Sequence, residues 1–113
     1  MMLKIEKNVE NDHSILSLNG EIDASNSVDL DQVIKEIIQG GAKNILVDCS
    51  GLEYISSAGL GVFMSYLEEF HEKNIRFVIF GLQEKVFQVF NILGLDQLMT
   101  IKPNKQEALE EIV

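Results

Sequence analysis

Residues 44–67 run Asn-Ile-Leu-Val-Asp-Cys-Ser-Gly-Leu-Glu-Tyr-Ile-Ser-Ser-Ala-Gly-Leu-Gly-Val-Phe-Met-Ser-Tyr-Leu, and a change of rhythm inside this stretch decides the class of fold. Asn44 to Asp48 is continuously apolar at its centre, the pattern of a strand buried on both faces of a parallel sheet. Leu60, Phe63, Met64 and Leu67 then recur at helical spacing. Cys49 to Ser57 reads as the connecting loop. Strand, loop and helix in this order form half of a crossover unit.

The same alternation continues on either side. Downstream, Arg76 to Phe80 is a second apolar strand closed by Gly81. The stripe Val86, Val89, Phe90 and Leu93 makes a helix ended by Gly94, with Phe87 off the stripe and partly exposed. A weak strand over Met99 to Lys102 leads through Pro103 to Asn104, which pairs with Glu107 as the cap of a last helix carrying Leu109 and Ile112. Upstream, Leu3 to Asn8 and Ser14 to Leu18 flank the polar turn Glu10-Asn11-Asp12 as a β-hairpin that Gly20 ends. From Ser25, Leu30, Val33, Ile34, Ile37 and Ile38 form the stripe of a helix that stops at Gly40-Gly41. The expectation is an α/β fold: a mixed, mostly parallel sheet, its first strand antiparallel, with about four helices, as one domain over residues 1–113.

Composition narrows the function classes. With 46% hydrophobic and 24% charged residues among 113, the chain has the profile of one globular domain. Its formal charge of −9 repels a nucleic-acid backbone, and the basic residues are scattered, so a protein or a small ligand is the expected partner. No apolar run approaches the roughly 20 residues that span a bilayer. The run Met1 to Lys7 carries charges inside any apolar stretch, so it fits neither a secretory signal nor a transit peptide. The lone Cys49 has no internal disulfide partner. A cytoplasmic, monomeric protein without membrane contact is expected.

In open α/β sheets, ligands and partners meet the rim beyond the carboxyl ends of the parallel strands. Three loops share that rim: Gly20 to Ala24, Cys49 to Ser57, and Gly81-Leu82-Gln83. Asp23 and Ser57 are thus expected to be neighbours. Ser56 or Ser57 is the helix N-cap, worth about 1 kcal/mol. The same free N–H groups also suit a phosphate attached there. Gly59 and Gly61 each cost a helix about 1 kcal/mol relative to alanine, which points to close approach by the sheet beneath or a partner above.

Catalysis finds little support. A nucleophilic Ser57 needs a base within reach, but His71 lies 14 residues further along one continuous helix, roughly 21 Å away at 1.5 Å per residue. His13 opens the second strand at the opposite rim. Asp48 and Glu53 read as solvated or capping carboxylates. No metal-ligand cluster surrounds Cys49, and no phosphate-binding glycine loop or nucleophile elbow is present, so neither cofactor nor metal is expected.

The hairpin, Gly20-Glu21-Ile22-Asp23, Ile45-Leu46-Val47-Asp48, Ser56-Ser57-Ala58-Gly59-Leu60-Gly61 and Leu93-Gly94-Leu95, in this order and spacing, resemble a STAS domain. That family holds bacterial anti-sigma factor antagonists and the cytoplasmic tails of sulphate transporters. The short chain speaks for the antagonist branch. There, a serine in an Asp-Ser-(Ser/Thr)-Gly-Leu-Gly context is phosphorylated by an anti-sigma factor that is itself a serine kinase of the GHKL-type ATPase fold. The resemblance implies that Ser57 is the acceptor. It also implies that the unphosphorylated form binds the anti-sigma factor, that phosphorylation breaks the complex, and that a PP2C-type phosphatase restores it. Asp23 matches the family's acidic rim position, and the implied partner-binding set is Asp23, Ser56, Ser57, Ala58, Gly59, Leu60 and Gly61. Ser56 and Ala58 depart from the family pattern on either side of the acceptor. The alternative is a scaffold or small-ligand-sensing subunit of a signalling or lipid-transport assembly that is not phosphorylated.

Overall fold

The computed structural model describes residues 2–113. Its strands are β1 (Leu3–Glu10), β2 (His13–Ile22), β3 (Asn44–Ile55), β4 (Arg76–Phe80) and β5 (Thr100–Lys102). The helices are α1 (Ser27–Gln39), α2 (Ser57–Ser65), α3 (Leu67–Glu72), α4 (Glu84–Ile92) and α5 (Lys105–Glu111), with one 3-10 turn at Leu95–Gln97. The sheet is ordered β1-β2-β3-β4-β5; β1 is antiparallel to β2 and every other pair is parallel, as the alternating pattern implies.

Strict alternation splits the core between the two faces of the sheet. On one face Ile45, Val47, Leu16 and Leu18 meet Leu30 and Ile34 of α1, Leu60 and Phe63 of α2, Phe70 of α3, and Val86 and Phe90 of α4. On the other, Leu46, Ile15, Val78 and Phe80 pack under Ala108 of α5. The central strand is therefore buried on both sides, as its continuous apolar run predicts. Asn104 caps α5 by accepting a hydrogen bond from the Glu107 N–H at 2.9 Å.

Several boundaries differ from expectation. The β1–β2 pairing ends at Gly20, opposite Leu3, as expected, but β2 itself continues beside β3 to Ile22 through a register shift between Gly20 and Glu21. Gly20 sits there at φ +108, and a Cβ would run into the Met2 carbonyl oxygen, so only glycine fits this bulge. Cys49 to Ile55 is not a loop but the outer half of β3, paired with β2 alone, because β4 ends at Phe80 opposite Asp48. Beyond that point the Gln83 side-chain amide donates to the Ser50 carbonyl at 3.2 Å, replacing one rung of the missing strand.

The expected second helix is broken at Tyr66 into α2 and α3. The Ser65 hydroxyl donates to the Val62 carbonyl at 2.6 Å, the acceptor an unbroken helix would offer to the Tyr66 N–H. That N–H turns to Phe63 O at 3.2 Å. The buried Tyr66 ring stacks on Phe70, and its hydroxyl donates to Asp31 Oδ1 of α1 at 2.7 Å. Burial first, and then this bond to Asp31, push the phenol pKa up. Met64, Val89 and Leu93 are exposed rather than core, since the sheet is wide enough to cover only part of each stripe.

Candidate functional site

Ser56 has extended backbone, φ −87 and ψ 172, and its side chain accepts a hydrogen bond from the Gly59 N–H at 3.3 Å. This settles the two-way choice of N-cap in favour of Ser56. Ser57 is the first residue of α2; its side chain is exposed and is not needed for the cap. The Ser57 and Ala58 N–H groups, like the first donors of any helix, have no intrahelical acceptor.

The helix start is bolted to the neighbouring strand. The Ser56 N–H donates to the Ile22 carbonyl at 2.8 Å, so Asp23, next after Ile22, and Ser57, next after Ser56, flank a single hydrogen bond. The 34-residue separation in sequence thus closes in space, as the shared rim requires. Asp23 is itself held. Its Oδ1 accepts from the Ser25 hydroxyl at 2.6 Å and the Ser25 N–H at 2.9 Å. These bonds, the hydroxyl first, keep the carboxyl below the usual aspartate pKa, so Asp23 is a fixed negative charge at neutral pH.

Asn26 is the organising residue that the sequence reading passed over. Its side-chain oxygen accepts from the Asp23 N–H at 2.9 Å and its amide donates to the Glu21 carbonyl at 3.0 Å, folding the β2–α1 connection back on itself. An Asx residue immediately ahead of an apolar helical stripe is the signal that marks it. On the far side, Asp48 Oδ1 accepts from the Ser50 hydroxyl and N–H at 2.7 and 3.0 Å, a local turn rather than half of an acid/base pair.

Of the implied partner-binding set, Ser57, Ala58 and Gly61 face solvent, and Asp23 and Ser56 are half-buried. Gly59 and Leu60 face inward and support the surface from beneath. The two glycines therefore have different causes. A Cβ on Gly59 would lie 2.7 Å from Ile22 Cγ2 and 2.8 Å from Ile55 Cγ1, so the sheet requires glycine there. A Cβ on Gly61 would meet nothing within 4 Å. Accordingly, Gly61→Ala is expected to stabilise the fold by about 0.5–1 kcal/mol through helix propensity. Gly59→Ala is expected to destabilise it by roughly 1–2 kcal/mol after the same gain is offset against overpacking. Urea unfolding of both variants reads the difference, and a gain in both would show that Gly59 does not rest on the sheet.

Other chemistry at the rim is limited. His13 pairs with Asn44 at the start of β3, about 36 Å of strand away from Ile55 at its other end. His71 shares a cleft with Arg76 at the same far end of the sheet. Burial, with a further push from Asp48, raises the Cys49 thiol pKa and keeps it protonated and inert. Among the described residues no group of three or more His, Cys, Asp or Glu side chains could hold a metal ion, and no helix is long and apolar enough to cross a membrane.

Comparison with known proteins agrees with this geometry. The chain is 28% identical over 101 residues to the anti-sigma-B factor antagonist of Staphylococcus aureus, covering 89% of this chain and 94% of that protein. An anti-sigma factor antagonist from Mycobacterium paratuberculosis superimposes with a TM-score of 0.90 at 21% identity, over 97% of this chain and 93% of the other. The Bacillus cell fate determinant SpoIIAA, solved in its phosphorylated form, has the same fold with a TM-score of 0.71 at 21% identity, over 99% and 100% of the two chains. The STAS domain profile matches residues 4–108, from the second residue of β1 into α5. The match takes in all five strands of the sheet and the rim on which Asp23 and Ser57 meet, and this chain belongs to the STAS domain family.

Proposed function

We propose that the protein is an anti-sigma factor antagonist that works as a phospho-switch. Unphosphorylated, it binds an anti-sigma factor serine kinase of the GHKL-type ATPase fold and so frees a sigma factor for transcription. A phosphate on Ser57 ends that complex, and a PP2C-type phosphatase restores it. The protein is cytoplasmic and contributes a docking surface, not catalysis.

The carrying observation is the division of labour between two adjacent serines. Ser56 makes the cap, while Ser57 presents an exposed hydroxyl that the fold does not use. A phosphate at the first helical position is compatible with the fold, because negative charge is favoured at a helix start. Gly61 adds support: a glycine in mid-helix costs about 1 kcal/mol, and nothing in the fold demands it, which fits close approach from outside. The mechanism is local charge. Phosphate adds about −1.5 to −2 beside the fixed Asp23 carboxylate on a chain already at −9, repelling any partner surface shaped for the neutral hydroxyl.

Incubation with a candidate kinase and ATP, followed by intact and peptide mass spectrometry, tests the reading. One added phosphate, located on Ser57 and absent from Ser57→Ala, is the expected result. A protein that stays unmodified beside a competent kinase rejects it. The alternative of a scaffold or ligand-sensing subunit then leads, with the open cleft of about 460 Å³ among Leu82, Phe87, Ile101 and Pro103 as its candidate pocket.

A further inference from the structure

We infer that the outer edge of β1 is a contact strand for a second copy of this chain, joining the two sheets into one. β1 ends the sheet and pairs with β2 alone. Its free edge is 8 residues long, against 3 at the opposite edge, β5. Two common guards of an edge are missing: the one proline of the chain is Pro103, and the β1–β2 register runs unbroken from Leu3 to Glu10. Charge alone guards it, through Lys4, Glu6, Lys7 and Glu10, which sum to zero in a chain at −9. Backbone geometry fixes which groups are free. The Met2 carbonyl accepts from the Glu21 N–H at 3.1 Å, so by the alternation of an antiparallel ladder the even-numbered residues of β1 turn their N–H and C=O toward β2. Leu3, Ile5, Lys7 and Val9 turn theirs outward, where among the described residues no strand meets them. An extended strand laid there completes a ladder.

The order of the charges selects the occupant. A second copy related by a twofold axis pairs β1 with β1 antiparallel, and because faces alternate along a strand, one residue must lie opposite its own copy. Registers that pair more than half of β1 centre on Ile5, Glu6, Lys7 or Asn8. Centring on Glu6 or Lys7 sets that charge against itself, and centring on Asn8 sets Glu6 against Glu10, all destabilising. Centring on Ile5 sets Lys4 against Glu6 at two symmetry-related places, Ile5 against Ile5, and the Lys7 stem over Leu3. No like charges meet in this register, and the outward backbone of Ile5 supplies its central hydrogen bonds. Leu3 and Ile5 already pack against the core, so the contact carries the core across the axis. Within one protomer the same charges have no such match. Lys4 lies opposite Asn19 and Glu6 opposite Ser17, and among the described residues neither takes part in an ion pair. The two Ser57 rims point to opposite ends of the joined sheet. The contact is therefore independent of the phospho-switch, and it replaces the monomer expected from the sequence.

One strand a side is smaller than a standard interface, so the dimer forms at high concentration. Sedimentation equilibrium of the purified protein, from low to several hundred micromolar, should show the mass rising from 12.7 kDa toward twice that value. Lys4→Glu and Glu6→Lys should each raise the midpoint about tenfold, since either one sets like charges together at both symmetry-related places. Their effects on overall charge are opposite: the first changes it by two, from −9 to −11, and the second by two, from −9 to −7. General repulsion between acidic copies therefore does not account for a loss that both share. The double variant Lys4→Glu/Glu6→Lys keeps the net charge at −9 and restores both pairs with their order reversed, so its midpoint should return to the parental value. Circular dichroism confirms that all three variants are folded. A mass fixed at 12.7 kDa at every concentration overturns the inference, as does a double variant that associates no better than the single ones.

Discussion

Ser57→Asp is expected to bind the proposed kinase partner about a hundredfold more weakly than the parent, a loss of about 3 kcal/mol. Its melting temperature should stay at the parental value or rise slightly. The two readouts separate because the same carboxylate meets two different fields. Toward the fold it sits at the start of α2, where a negative charge is worth about 0.3–1 kcal/mol in stability. Toward a partner it adds to Asp23 on an acidic rim, and there it repels. Ser57→Ala keeps the surface neutral and should bind as well as the parent while resisting release by kinase and ATP. Calorimetric titration of the three proteins against the purified partner measures this. Equal affinities for the aspartate and alanine variants would rule out a charge mechanism.

Phe63→Ala should have the largest effect on stability, a loss of about 3–5 kcal/mol. For a domain of this size that lowers the melting temperature by more than about 10 °C. Phe63 is 0% exposed and is the side chain by which α2 reaches the middle of the sheet. Its ring lies 5.8 Å from Phe77 of β4, which stacks at 4.8 Å on Phe70 of α3, which in turn meets Tyr66. One truncation therefore opens a cavity where α2, α3 and β4 converge. Against a total stability of 5–15 kcal/mol the variant retains only a modest margin. Urea denaturation checks it, and a change under about 1 kcal/mol would show that α2 is not seated as described.

The sequence made the layers of this fold legible because burial imposes a period. A sheet face demands alternation and a helix stripe demands three-four spacing, so Ile45-Leu46-Val47 and the Leu30–Ile38 stripe could be placed from residue types alone. Features set by contacts distant in sequence were not legible. The outer half of β3 loses its alternation at the register shifts opposite Ser17–Asn19 and Gly20–Glu21, so Cys49 to Ile55 looks like a loop. The break at Tyr66 rests on the Ser65 hydroxyl taking the Val62 carbonyl, a side-chain bond that apolar spacing does not reveal, and the seat of the Tyr66 ring rests on Asp31, 35 positions earlier. At the site, two neighbouring serines are chemically identical, and only the extended backbone of Ser56 assigns one to the cap and leaves the other free. Asn26 was hidden for a related reason: its amide bridges Glu21 and Asp23 in a turn that no periodicity announces.

The outer half of β3 has one more consequence, for how such a protein can change over generations. Beyond Asp48 the strand extends past β4 and is held by β2 and the Gln83 amide, with Leu52 and Ile55 as its inward anchors. Glu53, Tyr54, Ser57, Ala58 and Gly61 face outward from this projection and its adjoining helix. Substitutions at such exposed positions usually alter stability by no more than about 0.5 kcal/mol. A duplicated copy could therefore acquire a new partner, and lose the old one, by drifting at these few outward positions while its folding machinery stays untouched.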